Sequence, residues 1–399
     1  MWSGGDVMSI FGIVSEFNPF HLGHEYLISC ARGMGADGVA CVMSGNATQR
    51  GELAIVDKYL RAEAALCGGA DLVLELPFPW SSASAEGFAS AAIHILSSFC
   101  DTVIFGSECG DVELLQKVAD FTFSDAFREK YSELLLEGKQ SAASYVSLIE
   151  SEIGVTLSSN DLLGVEYIKA AKAEGVELCF KTVKRQGSAY LSDESNNEGF
   201  DSAMAIRKML FDGNAEELQN RLPQRSFEVL KMAKKNGDLL SQSKYTDSVV
   251  AYFRLLNNTT DEAFAESDGG VLERICKTAH ETTDNKGFWE SLSTKRYTDS
   301  KLRRAVIFAM CNVRKNDIKS FPAYTMLLAA NERGRQMLGE ARRLENITVI
   351  TKPADVSELG DVESQRQSEL NLKLASIYNF CLERSASTGQ SMRKKPYIT

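Results

Sequence analysis

Four histidines occur in the chain, and two of them, His21 and His24, fall in one four-residue run, His21-Leu22-Gly23-His24. The run follows a compact apolar segment at 9–17 (SIFGIVSEF) and opens a helical stretch that reaches about Met34. The start of a helix presents unpaired N–H groups and the positive end of the helix dipole, which together attract phosphate. Gly23 lets a ligand approach the backbone, and Asn18, Pro19 and Phe20 fix the turn before it. Two imidazoles at such a place can donate hydrogen bonds to phosphate oxygens as charge builds up on them. The alternative is a turn that carries two incidental histidines. The other two are weaker candidates: His94 lies in an apolar helical pattern and reads as packing, and His280 falls in a polar stretch with no assigned role. The nine cysteines show no CxxC spacing, which argues against a zinc site or a disulfide framework. Cys109 has no histidine near it in sequence to make it a nucleophile.

The elements that must position the histidines alternate in kind. Apolar, β-rich runs at 9–17, 37–45, 72–77, 102–107 and 178–185 are separated by helical patterns of ten or more residues, including 57–68 and 84–99. That alternation predicts a parallel sheet covered on both faces, with ligand sites at the carboxyl ends of its strands. Four unusual loops occupy those ends: FNPFHLGH, SGNATQRGE, ELPFPW and FGSECGD. Residues 111–175 read as a helical insertion, with a helix cap at Asn160 or Asp161. LCFKTVKR (178–185) is followed by a polar loop, and a helix begins near Ser202. Beyond residue 213 almost every segment has helical period, with 348–356 as a short strand. The expected division is therefore 1–212 and 213–399.

Composition narrows the class. No apolar run approaches the roughly 18 residues needed to span a membrane, and the first ten residues lack the pattern of a signal peptide, which favours the cytoplasm. The net charge of −10 hides an asymmetry: residues 1–200 hold 13 basic and 28 acidic residues, residues 201–399 hold 31 and 26. The window 295–343 alone has 12 basic and 4 acidic residues, which leaves room for a polyanionic partner; solvated helix faces are the bland alternative.

The histidine run resembles the HxGH signature of the nucleotidyltransferase superfamily, which implies an α/β, Rossmann-like parallel sheet of that type followed by a mainly α-helical C-terminal domain. GIVSEFNPFHLGHEYLI, VMSGNATQRGELAIVDKYLRAEAAL, GADLVLELPFPWSSASAEGFA, FGSE, SSNDLLGVEYIKA, KTVKRQGSAY, KRYTDSKLRR and AANERGR are similar, in this order, to the bacterial tRNA(Met) cytidine acetate ligase family. The resemblance spans most of the chain. It implies that ATP and acetate give acetyl-adenylate and pyrophosphate, and that the acetyl group then passes to N4 of the wobble cytidine of elongator tRNA(Met). Mg²⁺ would accompany ATP, and coenzyme A would not be needed.

By motif position the resemblance assigns ATP binding to Val14, Ser15, Glu16, Phe17, Asn18, Pro19, Phe20, His21, Leu22, Gly23, His24, Glu25, Tyr26 and Leu27, with His21 and His24 catalytic. Gly106, Asn160, Lys184 and Arg185 join them. Each also has an ordinary reading: a strand-end glycine, a helix cap, a solvated strand end. Arg207 in SAMAIRK resembles the last arginine of an SxTxIR-like signature, although Met204 stands where that signature has a hydroxyl residue and Ser202 would have to substitute. Gln49, Arg50, Gly51 and Glu52 are placed to line the substrate cleft. Lys58 and Arg61, one helical turn apart, face either cleft or solvent. Lys295, Arg296, Lys301, Arg303 and Arg304 are the expected tRNA-backbone contacts, with Tyr297 either stacking on a base or packing. Two other readings stand beside this one: a small-molecule adenylyltransferase, which would leave the second half unexplained, and a nucleotide- or RNA-binding protein without catalysis.

Overall fold

The computed structural model describes residues 8–136, 141–185, 200–212, 217–256, 264–284, 287–341 and 347–399. Most of the polar loop after the fifth predicted strand lies outside them. The first five strands are β1 (Ile10–Ser15), β2 (Gly38–Ser44), β3 (Leu72–Leu76), β4 (Thr102–Ser107) and β5 (Cys179–Lys184), close to the predicted spans and mutually parallel. Between them run α1 (Leu22–Gly33), α2 (Lys58–Cys67), α3 (Ala85–Leu96), α4 (Val112–Phe123), α5 (Asp125–Leu136), α6 (Ser141–Ile153) and α7 (Ser159–Glu174). The predicted helical insertion is thus part of the β4-to-β5 crossover, and α7 packs on α3, α4 and β4.

The second half contributes α8 (Ala203–Phe211), α9 (Gln224–Asn236), α10 (Gln242–Leu255), α11 (Val271–Glu281), α12 (Phe288–Leu292), α13 (Asp299–Cys311), α14 (Glu332–Ala341), α15 (Val362–Phe380) and α16 (Thr388–Arg393). It also contributes strands β6 (Tyr324–Ala330), β7 (Thr348–Ile350) and β8 (Tyr397–Ile398). The sheet order is β5-β4-β1-β2-β3-β6-β7, with β6 antiparallel to β3 and β8 beside β6. Residue 213 therefore does not separate the sheet from the helices: β6 crosses back and extends it. The sequence YTMLLAA is buried at every position, and a short continuous apolar run cannot be told from a buried helical segment by period alone.

One face of the sheet is covered by α3, α4, α7 and α14 around Leu72, Val103, Ile168 and Met337. The other is covered by α1 and α2 around Ile13, Val39, Ile28 and Ala62. Strand side chains alternate between these cores, and both are apolar because both faces are covered. A third core joins α10, α11, α13 and α15, and it takes in Ala47, Leu53 and Phe78 from the loops after β2 and β3. The helical half is thereby seated on the carboxyl ends of those strands. At the seam Gly51 has φ +76°, and a Cβ there would stand 2.4 Å from the backbone N of Arg304. Only glycine permits both that conformation and that approach.

Candidate active site

The chain runs β1-β2-β3 to one side of β1 and then returns to place β4 and β5 on the other. The crevice between the ends of β1 and β4 is the switch point at which such sheets bind ligands. The histidine loop emerges there. Phe17 adopts φ 45°, and the Phe17 and Phe20 rings meet edge-on at 5.1 Å between centroids. Arg61, fully buried, donates to the carbonyls of Glu16 (2.6 Å), Ser44 (3.1 Å), Gly45 and Val56 (3.0 Å), tying the loops after β1 and β2 together. Asn18 Oδ1 accepts the N–H of Ile55 at 2.9 Å, and Arg207 Nη1 donates to the Asn18 carbonyl at 2.9 Å.

The two histidines cap their own helix reciprocally. His21 Nδ1 accepts from Gly23 N–H at 3.1 Å, and His24 Nδ1 accepts from His21 N–H at 3.2 Å. Their rings stack with centroids 3.7 Å apart, and His24 is wedged edge-on against Phe17 at 4.9 Å. With both Nδ1 atoms accepting, the proton of each neutral ring is on Nε2. The rings are held neutral: burial, with Arg185 and Arg207 adding to it, lowers the His21 pKa to about 3. Burial, then His21 and Arg185, puts His24 well below its ordinary value.

The cleft is partly open to solvent and holds a cavity volume of about 140 Å³. Of the predicted residues, Val14, Ser15, Glu16, Phe17, Asn18, His21, His24, Leu27, Gly106, Asn160 and Arg185 line it, and Gln49 reaches it from the loop after β2. The rest of the run has other duties. Pro19 and Phe20 are buried, Leu22 and Glu25 are half-buried in the first turn of α1, and Tyr26 is exposed with its ring beside Phe200. Both glycines make room for a neighbouring side chain: a Cβ on Gly23 would stand 2.9 Å from the His21 ring, and one on Gly106 3.3 Å from the Arg185 stem. The space expected for a ligand at Gly23 is taken by its own histidine.

Several expected roles are corrected by contacts. Ser158, with Asp161 reciprocating, caps α7; Asn160 instead donates to Glu108 at 2.7 Å, and Glu108 also lies 3.3 Å from Arg185. Lys184 is exposed at the end of β5 and does not line the cleft. Arg207 stands behind the wall, between the Asn18 carbonyl and Glu52. Ser202 caps α8, whose first residue Ala203 lines the cleft. Lys58 and Arg61 do not face this cleft: Lys58 pairs with buried Glu75 at 2.5 Å in a separate cavity under α15. Arg304 is buried and paired with Glu266 at 3.1 Å, so it is not available to a phosphate backbone. Lys295 and Arg296 are exposed and Lys301 half-buried. The Tyr297 ring has Arg296 and Lys301 within 5.2 and 5.6 Å of its centroid. Arg303 lies over Trp289 and 3.8 Å from Glu52. Sequence reasoning missed the apolar wall of Phe88, Phe105, Leu163 and Tyr167, whose residues carry no signal beyond that of ordinary core positions. It placed His94 among packing residues, and the ring is stacked on Phe321 with Nδ1 2.7 Å from Glu174.

A parallel sheet whose switch point carries a capped pair of neutral histidines, flanked by arginines, defines a nucleotidyl transferase of the histidine-signature type. The chain matches the HIGH Nucleotidyl Transferase family over residues 8–394. Within that class it belongs to the tRNA(Met) cytidine acetate ligase family. It is 32% identical over 397 residues to tRNA(Met) cytidine acetate ligase of Thermoanaerobacter sp. (strain X514), covering 96% of this chain and 98% of that one. With the enzyme of that name from Thermotoga maritima it is 34% identical over 393 residues, covering 91% and 94%. The crystal structure of apo Thermotoga maritima TmcAL superposes with TM-score 0.91 at 30% identity, covering 98% of this chain and 99% of that chain. The same protein bound with alpha-thio ATP gives TM-score 0.89 at 30% identity, covering 98% and 100%.

Proposed function

We propose that the chain joins acetate to ATP, giving acetyl-adenylate and pyrophosphate, and then passes the acetyl group to N4 of the wobble cytidine of elongator tRNA(Met). Coenzyme A has no part in the scheme. The observation that carries this reading is the reciprocal cap: both Nδ1 atoms are spent on backbone N–H groups, so both rings can offer only Nε2–H outward. Neutral rings suit the task, because they donate hydrogen bonds to phosphate oxygens without a competing proton transfer. The positive end of the α1 dipole and the cation of Arg185 add positive potential where pyrophosphate departs. In the activation step an acetate oxygen attacks the α-phosphorus, the bond to the β-phosphate oxygen breaks, and pyrophosphate leaves. Acetate and triphosphate repel, so the cleft must hold them in line and screen their charge. Phe88, Phe105, Leu163 and Tyr167 offer an apolar wall that suits a purine face. Among the described residues no three His, Cys, Asp or Glu side chains gather as a metal site, so Mg²⁺ would be carried by the triphosphate itself. Lys295, Arg296 and Lys301 are the proposed contacts for the tRNA backbone.

The test is incubation with ATP, Mg²⁺, ¹⁴C-acetate and bacterial tRNA, followed by nucleoside analysis. Label is expected in N4-acetylcytidine, independent of coenzyme A, with His21→Ala and His24→Ala each lowering the rate by about 10²–10³. No labelled RNA and no acetyl-adenylate, despite ATP binding, overturns the reading; pyrophosphate release with other acceptors alone points to a small-molecule adenylyltransferase.

A further inference from the structure

The acetyl-transfer step needs a proton acceptor. The exocyclic amine of cytosine is a poor nucleophile because its lone pair is delocalised into the ring. As N4 bonds to the acetyl carbon, the bond from that carbon to the phosphate oxygen breaks, AMP leaves with the electron pair, and N4 must lose a proton. Most polar groups lining the cleft cannot take it. His21 and His24 have committed Nδ1 to the backbone, and Asn18 Oδ1 to the Ile55 N–H. Arg185 is a cation, and the amides of Gln49 and Asn160 are not basic. Glu16 is the one carboxylate among the described residues that line the cleft. It is anchored from both sides: its Oε1 accepts the Gln49 N–H at 2.9 Å, and its own carbonyl is held by Arg61 at 2.6 Å.

We propose that Glu16 is the proton acceptor of the transfer step, taking the N4 proton as the acetyl group moves from AMP to cytidine. The proposal rests on the acetate-ligase reading above. Burial raises the Glu16 pKa above its ordinary value, with the Gln49 N–H and Arg207 pulling the other way. A carboxylate shifted in this direction accepts a proton more readily near neutrality. The charged groups around it are Arg207 on α8, Arg50 and Glu52 in the loop after β2, and the Arg61 guanidinium on its backbone; the neutral rings of His21 and His24 share its wall.

Glu16→Gln keeps the shape and an oxygen for the Gln49 N–H but cannot take a proton. Two rates separate the steps: acetate-dependent ATP–pyrophosphate exchange for activation, and single-turnover transfer from enzyme-bound acetyl-adenylate to tRNA. In Glu16→Gln, transfer is expected to fall about 100-fold further than exchange, as for loss of a general base. Wild-type transfer should slow toward acid pH with a single ionisation, and that limb should vanish in the variant. Equal loss in both steps, or transfer that keeps its rate and its acid limb, overturns the assignment. Should Glu16→Gln fail to fold, Glu16→Asp decides by the same comparison: transfer lowered further than exchange supports the role, and equal loss rejects it. Absence of acetate-dependent exchange in the wild-type protein rejects the ligase reading itself, a result distinct from either.

Discussion

His21 and His24 show how one turn of helix, with Phe17 beside it, can fix two side chains. Each Nδ1 accepts a backbone N–H of the same turn, so the cap that orders α1 also selects the tautomer that faces the cleft. A prediction in pH follows. The folded pKa of His21 is lowered to about 3 from an ordinary 6.5, and His24 is lowered as well. Between those pH values the unfolded chain binds protons at these positions that the folded chain does not. Stability should therefore fall as pH drops from 6.5 toward 3 and, as far as these two groups are concerned, be flat above 6.5. ¹⁵N-resolved NMR should show both rings protonated on Nε2 alone from pH 8 down to about 5; an imidazolium signal for either ring in that range would remove the neutral-donor argument. The pair itself was legible in the sequence, since two histidines at a strand-to-helix junction are rare in a chain that holds four. The purpose of the glycines was not: Gly23 and Gly106 accommodate the His21 ring and the Arg185 stem, and spacing does not reveal which neighbour fills a gap.

Elements were legible where their period was unambiguous, and became obscure where tertiary context decides. The five parallel strands follow from apolar runs set between helical patterns, whereas β6 needed the knowledge that Tyr324–Ala330 lies against β3. Arg61 is the same problem on a helix. By sequence it is an arginine one turn from Lys58, free to face solvent; in the fold it is 1% exposed and holds four carbonyls from the β1 loop, the end of β2 and the approach to α2. An ammonium cannot reach acceptors spread as these are, because the guanidinium offers a fork of N–H groups in fixed directions. Arg61→Lys should leave at least one buried carbonyl without a donor and cost about 2–3 kcal/mol. Urea unfolding would measure that loss, and calorimetry with a non-hydrolysable ATP analogue should show weaker binding, since the loop that carries His21 loses its anchor. A variant with unchanged unfolding midpoint would show that water replaces the guanidinium at no cost.

At the scale of the whole molecule, an acidic nucleotide-binding half meets a second half that carries the net positive charge. The two are not independent bodies joined by a linker. They share a sheet through β6 and a core through Ala47, Leu53 and Phe78, and α13 rests directly on Gly51. The N-terminal end of α13 is thereby brought to the cleft side of the molecule, where Arg303 lies 3.8 Å from Glu52, which is itself 3.6 Å from Arg207. The proposed RNA contacts Lys295, Arg296 and Lys301 lie on α13 or just before it, the helix that rests on Gly51. Charge reversal separates this role from a structural one. Lys295→Glu, Arg296→Glu and Lys301→Glu should each weaken tRNA binding and lower the slope of log affinity against log salt by about one per lost phosphate contact. Acetate-dependent pyrophosphate exchange should be unaffected, because none of the three lines the cleft. Arg304→Glu should behave otherwise: it replaces a buried cation by a second carboxylate beside the half-buried Glu266, so it should lower the melting temperature and both half-reactions together. Loss of tRNA binding in Arg304→Glu with stability intact, or salt slopes unchanged in the first three, would move the RNA surface elsewhere on the second half.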